Sequence, residues 1–372
     1  MINSQDRVEA AEDSSRQPLG KMMRGGSLVG ALVAVGLVLG SALPAVQAAA
    51  AELPPSVQKL LPAAKAEGTL TVFGYPSNPR QEAAFRDGIS KFYGFPIDVV
   101  FSQGANHVEK TAQVVQALKN DVPTSLDVFW SGPTNISMLE EVGGVQKINW
   151  AREFGLDADL QVGDFGLRTH DSVLDGISYN TTEVEPAEVP KSYEALLNPK
   201  WKGHIATPRS PTPWFCLSYA LGDDKVTALL TQLMQKQDLK LLPSYADERT
   251  RVGTGEFAIG VGTDAYVLTK RGAPIEDALV SPLVLLPSAI AVLKDAKHPA
   301  LAKLWGYWLV SDAGQHVLAT QYGYGLVNNQ DKENYTHVLA EKIGQWKVIS
   351  YEYTIDHFGT LADKYRKIMG IR

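Results

Sequence analysis

The sequence contains almost no cysteine. Cys216 is the only one among 372 residues. A single thiol excludes an intrachain disulfide and any multi-thiolate metal cluster, so packing and hydrogen bonds must hold the fold together. A lone cysteine of this kind is most often a buried thiol without a chemical role, and we expect that of Cys216.

The chain also lacks an excess of positive charge. It carries 35 Lys and Arg residues against 41 Asp and Glu residues, a formal net charge of -6 at pH 7. This balance argues against a nucleic-acid partner, which would require a basic surface. With 45% hydrophobic residues, the chain can bury more than one core, and we expect two globular units.

Catalytic and metal-binding motifs are missing as well. The sequence has no GxSxG elbow, no Gly-rich phosphate loop, no HExxH and no paired cysteines. Its seven His residues are not spaced as a local metal site. We therefore expect a protein that is not an enzyme and that holds neither a cofactor nor a metal.

The N-terminal region has the order of a secretory signal peptide. Lys21 and Arg24 precede an apolar run over Leu28–Leu43, and the small-x-Ala triplet Val46-Gln47-Ala48 follows. Residues 1–48 are therefore predicted to be a cleaved signal peptide with an N-terminal extension, with a retained membrane anchor as the alternative. No cysteine lies near the cleavage site, so the mature protein is expected free in the periplasm and not as a lipoprotein.

The mature chain begins with three repeats of strand, loop and helix. Predicted strands at Thr69–Tyr75, Ile97–Phe101 and Leu126–Trp130 are each followed by a break and then by apolar residues at helical spacing. This alternation predicts an α/β fold with a largely parallel, doubly wound sheet. The loops after these strands should meet at the carboxyl edge of the sheet, where a ligand would bind.

The pattern pauses between Asn149 and Asp171 and then resumes in a second block. The predicted organisation is lobe 1 from residues 66–178 and 286–330, lobe 2 from residues 179–285, and a C-terminal segment, residues 331–372, packed on the lobes. The strands predicted in the second block are Val173–Asn180, Ile205–Pro208, Phe257–Val261 and Leu283–Leu286.

Three segments resemble motifs of the extracellular solute-binding proteins of ABC importers. They are Ser192–Gly203 (SYEALLNPKWKG), Val252–Gly260 (VGTGEFAIG) and Lys297–Gln315 (KHPALAKLWGYWLVSDAGQ). The resemblance is to the type II fold group that includes ferric-ion, thiamine, polyamine and phosphonate binders. It covers most of residues 66–330.

This resemblance implies a mechanism and partners. Two doubly wound lobes would be joined by a two-strand hinge, here near Ser178–Asn180 and Leu285–Ser288, and a bound solute would favour the closed form. The protein would be a monomer that delivers its solute to a cognate ABC permease and ATPase. A sensory ligand-binding subunit and an exported hydrolase are the alternative functions, and neighbouring permease and ATPase genes would distinguish the sensor from the transporter.

Direct iron binding is disfavoured when the ferric-binding motifs are compared position by position. The resemblance would require a His after the first strand, a Glu after the third and a Tyr pair in the second lobe. Here Tyr75–Pro79 contains no His, Gly132 occupies the third-strand position, and the pair is reduced to Ala265–Tyr266. An organic anion, with ring-bearing and zwitterionic forms included, is the favoured solute, and direct or chelated ferric iron is the alternative.

The candidate ligand contacts each have an ordinary structural alternative. The serines suit helix caps, Arg209 could grip a carboxylate or phosphate or form a surface ion pair, and Asp264 could cap a helix or bind an amine. The aromatic residues could stack on a ring or pack in the core. The full candidate set is Tyr75, Ser77, Ser102, Trp130, Ser131, Gly132, Thr207, Arg209, Ser210, Trp214, Asp264 and Tyr266.

Overall fold

The computed structural model describes residues 53–76, 78–102 and 106–371. The predicted signal peptide and Ser77 lie outside these residues. Within the described part, no helix is long and apolar enough to cross a bilayer.

The first part of the described chain alternates helices and strands, as predicted. These elements are α1 (Pro55–Glu67), β1 (Thr69–Phe73), α2 (Pro79–Tyr93), β2 (Asp98–Ser102), α3 (His107–Lys119), β3 (Val128–Ser131), α4 (Pro133–Glu141), α5 (Trp150–Phe154), β4 (Gln161–Val162) and β5 (Gly166–Val173). A short 3-10 turn, Ala158–Leu160, precedes β4.

The second part contains the remaining elements. They are β6 (Ile177–Asn180), β7 (Ile205–Pro208), α6 (Thr212–Leu221), α7 (Asp223–Lys236), β8 (Lys240–Leu242), α8 (Tyr245–Gly253), β9 (Ile259–Val261), α9 (Tyr266–Thr269), β10 (Ile275–Ala278), β11 (Leu283–Val292), α10 (Pro299–Val310), α11 (Asp312–Tyr322), α12 (Tyr335–Ile343), β12 (Trp346–Val348) and α13 (Tyr351–Met369). Three 3-10 turns connect β6 to β7 at Pro186–Glu188, Glu194–Leu197 and Pro199–Trp201.

The strands form two sheets. The first has the order β2-β1-β3-β11-β5-β4, with β12 added to β11, and the second has the order β10-β6-β9-β7-β8. Each sheet is mixed. The β2-β1-β3 and β8-β7-β9 pairings are parallel, whereas β11 runs antiparallel to β3 and β5, and β6 runs antiparallel to β9 and β10. The expectation of a largely parallel sheet therefore holds only for these two groups and for the parallel pair of β11 and β12.

The chain passes between the sheets twice, at positions that differ from the prediction. One connection is residues 174–176, between β5 and β6, and the other is residues 279–282, between β10 and β11. The predicted hinge positions Ser178–Asn180 and Leu285–Ser288 are wrong by a few residues, because their backbones pair within β6 and β11. The strand predicted at Leu283–Leu286 likewise starts β11 of the first sheet. The residue limits given for the lobes remain a prediction.

Asparagines, and not the predicted serines, cap the helices at the edge of the first sheet. The Asn78 side chain accepts the Gln81 N–H ahead of α2, and the Asn106 side chain accepts the Glu109 N–H ahead of α3. α4 follows Gly132 and has no side-chain cap. The capping alternative for Ser102 and Ser131 is therefore wrong.

Each sheet carries its own apolar core. Trp130, Trp305 and Trp308 are fully buried between the first sheet and its helices. Trp214 and the thiol of Cys216 are fully buried under the second sheet, as expected for the cysteine. The C-terminal helix α13 packs against α6 and α7 of the second lobe and against α4 of the first.

Two glycines in the C-terminal half give a matched test of this packing. A Cβ on Gly314 would lie 2.1 Å from the Trp308 carbonyl oxygen and 2.8 Å from Leu309 Cα, whereas a Cβ on Gly359 would meet nothing within 4 Å. Because backbone cannot move aside as a side chain can, Gly314→Ala should lower the free energy of unfolding by about 1–3 kcal/mol. Gly359→Ala should raise it by up to about 1 kcal/mol, since alanine favours helix. Urea denaturation measures both, and equal effects of the two substitutions would contradict the packing described.

Candidate ligand-binding site

Four of the predicted site residues lie at the carboxyl edge of the first sheet. Tyr75 follows β1, Ser102 ends β2 opposite Phe73, and Ser131 ends β3 directly before Gly132. Tyr75 and Ser102 are half-buried, and Ser131 is fully buried. The strand ends meet at one edge, as the alternating pattern predicted.

The hydroxyl of Ser131 is already engaged by its neighbours. His107 Nδ1 lies 2.7 Å from Ser131 Oγ, and Asn135 Nδ2 donates to the same oxygen at 2.8 Å. Ser131 therefore orients the His107 ring at the edge of the sheet. The imidazole, more than the hydroxyl, is the group that this position offers to a ligand.

Tyr75 is surrounded by rings. Its hydroxyl shares a hydrogen bond with Ser288 Oγ of β11, and its ring centroid lies 4.8 Å from that of His170 and 5.4 Å from that of His107. The Tyr322 ring is 6.5 Å away, and its buried hydroxyl has no hydrogen-bond partner. The first-sheet edge thus carries a cluster of aromatic rings, which we call the ring wall: Tyr75, His107 and Tyr322, which are half-buried, and His170, which is fully buried.

Both imidazoles of the ring wall are uncharged at neutral pH. Burial lowers the pKa of His107, and burial together with the nearby Arg168 guanidinium lowers the pKa of His170 to about 3. Arg168 is itself neutralised by Asp171, whose Oδ2 lies 2.5 Å from its Nη2. The ring wall therefore offers π faces and neutral hydrogen-bonding groups without a net charge.

The carboxyl edge of the second sheet holds the remaining candidates. Because β7 and β9 are parallel, the loop after Pro208 and the loop after Val261 leave the sheet side by side. They are in contact, since a Cβ on Gly262 would lie 2.7 Å from Pro208 Cδ. Arg209 and Asp264 follow these two strands, so the structure brings them to the same edge.

Thr207 and Ser210 form hydrogen bonds within the protein at this edge. Thr207 is fully buried and donates to the Val261 carbonyl at 2.7 Å, which ties β7 to β9. Ser210 Oγ accepts the Tyr245 hydroxyl at 3.0 Å and donates to Thr212 Oγ1 at 3.2 Å. Both side chains shape the loop that carries Arg209.

Arg209 is the exposed cation of this edge. Its side chain is exposed, its backbone N–H donates to the Leu242 carbonyl at 2.7 Å, and its guanidinium forms no ion pair or hydrogen bond within the described residues. The surface ion pair considered as its alternative role is therefore absent from the described part of the chain. A planar guanidinium of this kind can bind a carboxylate or phosphate through two parallel hydrogen bonds.

Asp264 is engaged within the protein. It is fully buried, its Oδ1 accepts the Tyr266 N–H at 3.0 Å, and its Oδ2 accepts the Tyr324 hydroxyl at 3.2 Å. Arg249 Nη2 lies 4.0 Å from Oδ2 and its Nε donates to the Asp264 carbonyl. Both carboxylate oxygens of Asp264 therefore have hydrogen-bond partners inside the protein.

A continuous line of side chains joins the two edges. The Tyr75 ring contacts His170, the His170 ring lies parallel to the Tyr324 ring at 6.3 Å, and Tyr324 donates to Asp264. The carboxyl edges of the two sheets therefore face each other across a short distance. A guest between them would contact both lobes.

Two of the predicted aromatic contacts do not face this space. Trp130 is fully buried, with its Nε1 donating to Thr169 Oγ1 at 3.0 Å, and Trp214 is fully buried in the core of the second sheet. The expectation that they wall the ligand is wrong in this conformation, because apolar packing encloses both rings. Tyr75 and Tyr266 remain half-buried at the site.

Several residues at the site were not predicted. His107, His170, Arg249 and Tyr324 gave no periodic signal, and His170 lies where the strand pattern paused. The tyrosine between two glycines, Gly323-Tyr324-Gly325, is the one local feature that could have drawn attention, since a bulky ring between small residues is often fixed by close packing. The others become neighbours only through the folding of the chain.

Glu248 is a buried acid beside the second-sheet edge. It is fully buried, and its Oε2 accepts the Thr263 hydroxyl at 2.8 Å. Burial raises its pKa to about 8. The described residues contain no group of three or more His, Cys, Asp or Glu side chains placed to hold a metal ion.

Two sheets joined by two connections, with their carboxyl edges facing each other, give the chain the fold of the type II periplasmic binding proteins. Residues 169–349 match the family described as bacterial extracellular solute-binding protein. This match supports the resemblance to the extracellular solute-binding proteins of ABC transporters that the sequence motifs indicated. No curated protein matches the sequence.

Solved structures share this fold. A substrate-binding protein of an ABC transporter from Agrobacterium tumefaciens is 15% identical, with a TM-score of 0.66 over 81% of this chain and 95% of that one. A ferric binding protein from Campylobacter jejuni is 15% identical, with a TM-score of 0.64 over 82% and 100%. A GABA receptor is 16% identical, with a TM-score of 0.61 over 81% and 97%. At these identities the similarity establishes the fold alone.

Glu248→Gln tests the buried acid. A carboxyl with a pKa of about 8 in the folded state and 4.5 as its ordinary value binds its proton more tightly when folded, so it stabilises the protein at low pH. That stability is lost as the pH rises from 4.5 to 8, with a slope of at most about 1.4 kcal/mol per pH unit. Glutamine has the same shape but no titrating proton, so the free energy of unfolding of Glu248→Gln should decline less steeply over this pH range.

The measurement is the free energy of unfolding by urea at pH 5, 6, 7 and 8. Glu341→Gln, which alters an exposed carboxylate, is the control and should retain the slope of the unaltered protein. An unchanged slope in Glu248→Gln would show that the glutamate is ionised when folded.

Proposed function

We propose that this protein captures a ring-bearing organic anion between its two lobes and delivers it to an ABC permease and ATPase. The observation that carries the proposal is Arg209, an exposed guanidinium without a partner in the described chain, on the same edge as the Asp264 loop. The anionic head would bind Arg209 and nearby backbone N–H groups. Closure of the lobes would then enclose the solute.

The ring wall supports the second part of this proposal. Its imidazoles are neutral, and the hydroxyls of Ser131 and Ser288 already have partners. Such a surface has few free donors for a second anionic group, but it suits a planar ring through edge-to-face or offset contacts. In a carboxylate or phosphonate attached to an aromatic ring, the anionic group would bind Arg209 and the ring would contact the ring wall.

Binding without catalysis fits the same arrangement. The Ser131–His107 pair lacks a carboxylate at the second ring nitrogen among the described contacts, and Ser131 is fully buried. We further propose that residues 1–48 are removed on export, that the mature chain is not a lipoprotein, and that it acts as a monomer in the periplasm. A sensory subunit would use the same site with a receptor as its partner.

Arg209→Ala tests the anion clamp. Purified residues 49–372 are screened by thermal shift against benzoate, phenylphosphonate, aliphatic carboxylates, amino acids, thiamine and ferric citrate, because a ligand of the folded state raises its melting temperature. For a carboxylate or phosphonate that binds, Arg209→Ala should weaken the affinity about 10- to 100-fold, since a hydrogen bond to a charged group contributes about 1.5–3 kcal/mol. Titration calorimetry measures the change.

Arg271→Ala is the matched control, because Arg271 is also an exposed arginine of the second lobe. It should leave the affinity unaltered. Equal affinities for the Arg209→Ala variant and the unaltered protein would rule out the clamp. A visible charge-transfer band on addition of ferric citrate, lost in Tyr75→Phe or Tyr266→Phe, would favour tyrosinate–iron coordination instead.

Tyr75→Leu tests the ring wall. If the wall recognises a ring, the protein should bind benzoate more tightly than cyclohexanecarboxylate, and Tyr75→Leu should remove that preference while Tyr75→Phe keeps most of it. An aromatic pair contributes about 0.5–1.5 kcal/mol beyond its buried area, so the preference should be about 2- to 10-fold. Equal binding of the two acids by the unaltered protein would limit the solute to an organic anion without a ring.

A further inference from the structure

The segment between α11 and α12 connects the two lobes through side chains. We call residues 323–335 the strap; it begins at Gly323 and ends with Tyr335, the first residue of α12. Its ends are held together, because the Tyr335 N–H donates to the Gly323 carbonyl at 2.8 Å. The strap therefore forms a closed loop with a tyrosine near each end.

The strap is anchored on the first sheet. The Asp171 N–H donates to the Gly325 carbonyl at 3.0 Å, and the Val327 N–H donates to Asp171 Oδ2 at 2.9 Å. The Leu326 N–H donates to Gln315 Oε1 at 2.7 Å, while Gln315 Nε2 donates to a carbonyl of β5. Asp171 and Gln315 are both buried. The strap should therefore move as one body with the first lobe.

The two tyrosines of the strap reach carboxylates of the second lobe. The Tyr324 hydroxyl donates to Asp264 Oδ2 at 3.2 Å, and the Tyr335 hydroxyl donates to Asp277 Oδ2. Asp277 lies in β10, and its carboxylate also accepts the Ala265 N–H. Each tyrosine thus binds an acid that holds the loop after β9.

Ring contacts accompany these hydrogen bonds. The Tyr266 ring lies 4.9 Å from the Tyr335 ring, and a Cβ on Gly323 would be 2.3 Å from Tyr266 Cδ1. Only a glycine therefore lets the strap approach so closely. Lys270 and Glu333 add an exposed ion pair at 3.2 Å, which contributes little. Contacts from the first lobe therefore fix the position of residues 264–266, and these contacts involve no solute.

We propose that Tyr324 and Tyr335 form an interlobe clasp that restrains the opening of the ligand-free protein and positions the loop at residues 264–266. The clasp lies near the root of the cleft, because the Gly262 N–H donates to the carbonyl of Gly176 in the connection between the sheets. Contacts at that place limit how far the lobes separate. Because a solute enters only when the lobes part, the clasp slows its entry.

The clasp makes a prediction that does not depend on the identity of the solute. Removing both hydroxyls in Tyr324→Phe/Tyr335→Phe keeps the rings and deletes the hydrogen bonds from the strap to Asp264, Asp277 and Arg249. Two such bonds are expected to shift the ratio of open to closed protein by about tenfold or more. The ligand-free variant should therefore populate a wider separation of the lobes than the unaltered protein does.

Double electron–electron resonance measures this separation directly. Spin labels are placed at Lys119→Cys on α3 and Lys236→Cys on α7, both exposed, while the native Cys216 is fully buried. The full mature chain is unfolded in guanidinium and refolded before labelling, so that no solute is carried over. The expected result is one short distance in the unaltered protein and an added longer distance in the double variant.

Tyr179→Phe is the matched control, because the Tyr179 hydroxyl donates to Glu276 at 2.9 Å within the second sheet. It should leave the distance distribution unchanged although it also removes a tyrosine–carboxylate bond. Identical distributions for the double variant and the unaltered protein would overturn the clasp. The urea midpoint of the double variant is measured as well. A longer distance that appears only to the extent that the double variant has lost folded protein would also overturn the clasp.

Discussion

The course of β11 is the constraint on which the rest of the structure depends. This strand lies between β3 and β5 and fills the middle of the first sheet, yet the chain reaches it only after building the whole second sheet. Its ten residues are almost entirely buried. The first sheet cannot be completed until the chain returns, so the two sheets are tied by two short connections and cannot separate as independent domains.

This tie explains why the functional residues come from distant parts of the chain. Tyr75 and Ser131 come from the opening repeats, Ser288 from the returning strand, and Tyr324 from the strap beyond it. The resulting site has an unequal distribution of charge. The ring wall is neutral because burial lowers the pKa of its imidazoles, while the exposed positive charge lies on the opposite edge at Arg209. The proposed solute, with a planar part and an anionic head, is based on that division.

The second edge also contains more acid than base. Glu248 and Asp264 are fully buried there and Asp277 is half-buried, with Arg249 among them, and desolvation raises the pKa of Glu248 to about 8 and that of Asp277 to about 7. Acids that keep their protons when folded are tolerated in such a place, since the neutral form loses little on leaving water. The tyrosine hydroxyls of the strap supply donors to these acids in place of additional cations.

The sequence by itself determined the class of the protein. Strand and helix periodicities are local, so the three opening repeats, the carboxyl-edge loops and the motifs at Ser192–Gly203 and Lys297–Gln315 could be recognised without coordinates, and with them the fold class and the family resemblance. Only the tertiary structure decided which side chains meet. The hinge connections, the burial of Trp130 and Trp214, and the partners of Tyr324 depend on contacts between residues far apart in the chain, which no local pattern encodes because hydrogen bonds and packing form in space and not along the sequence.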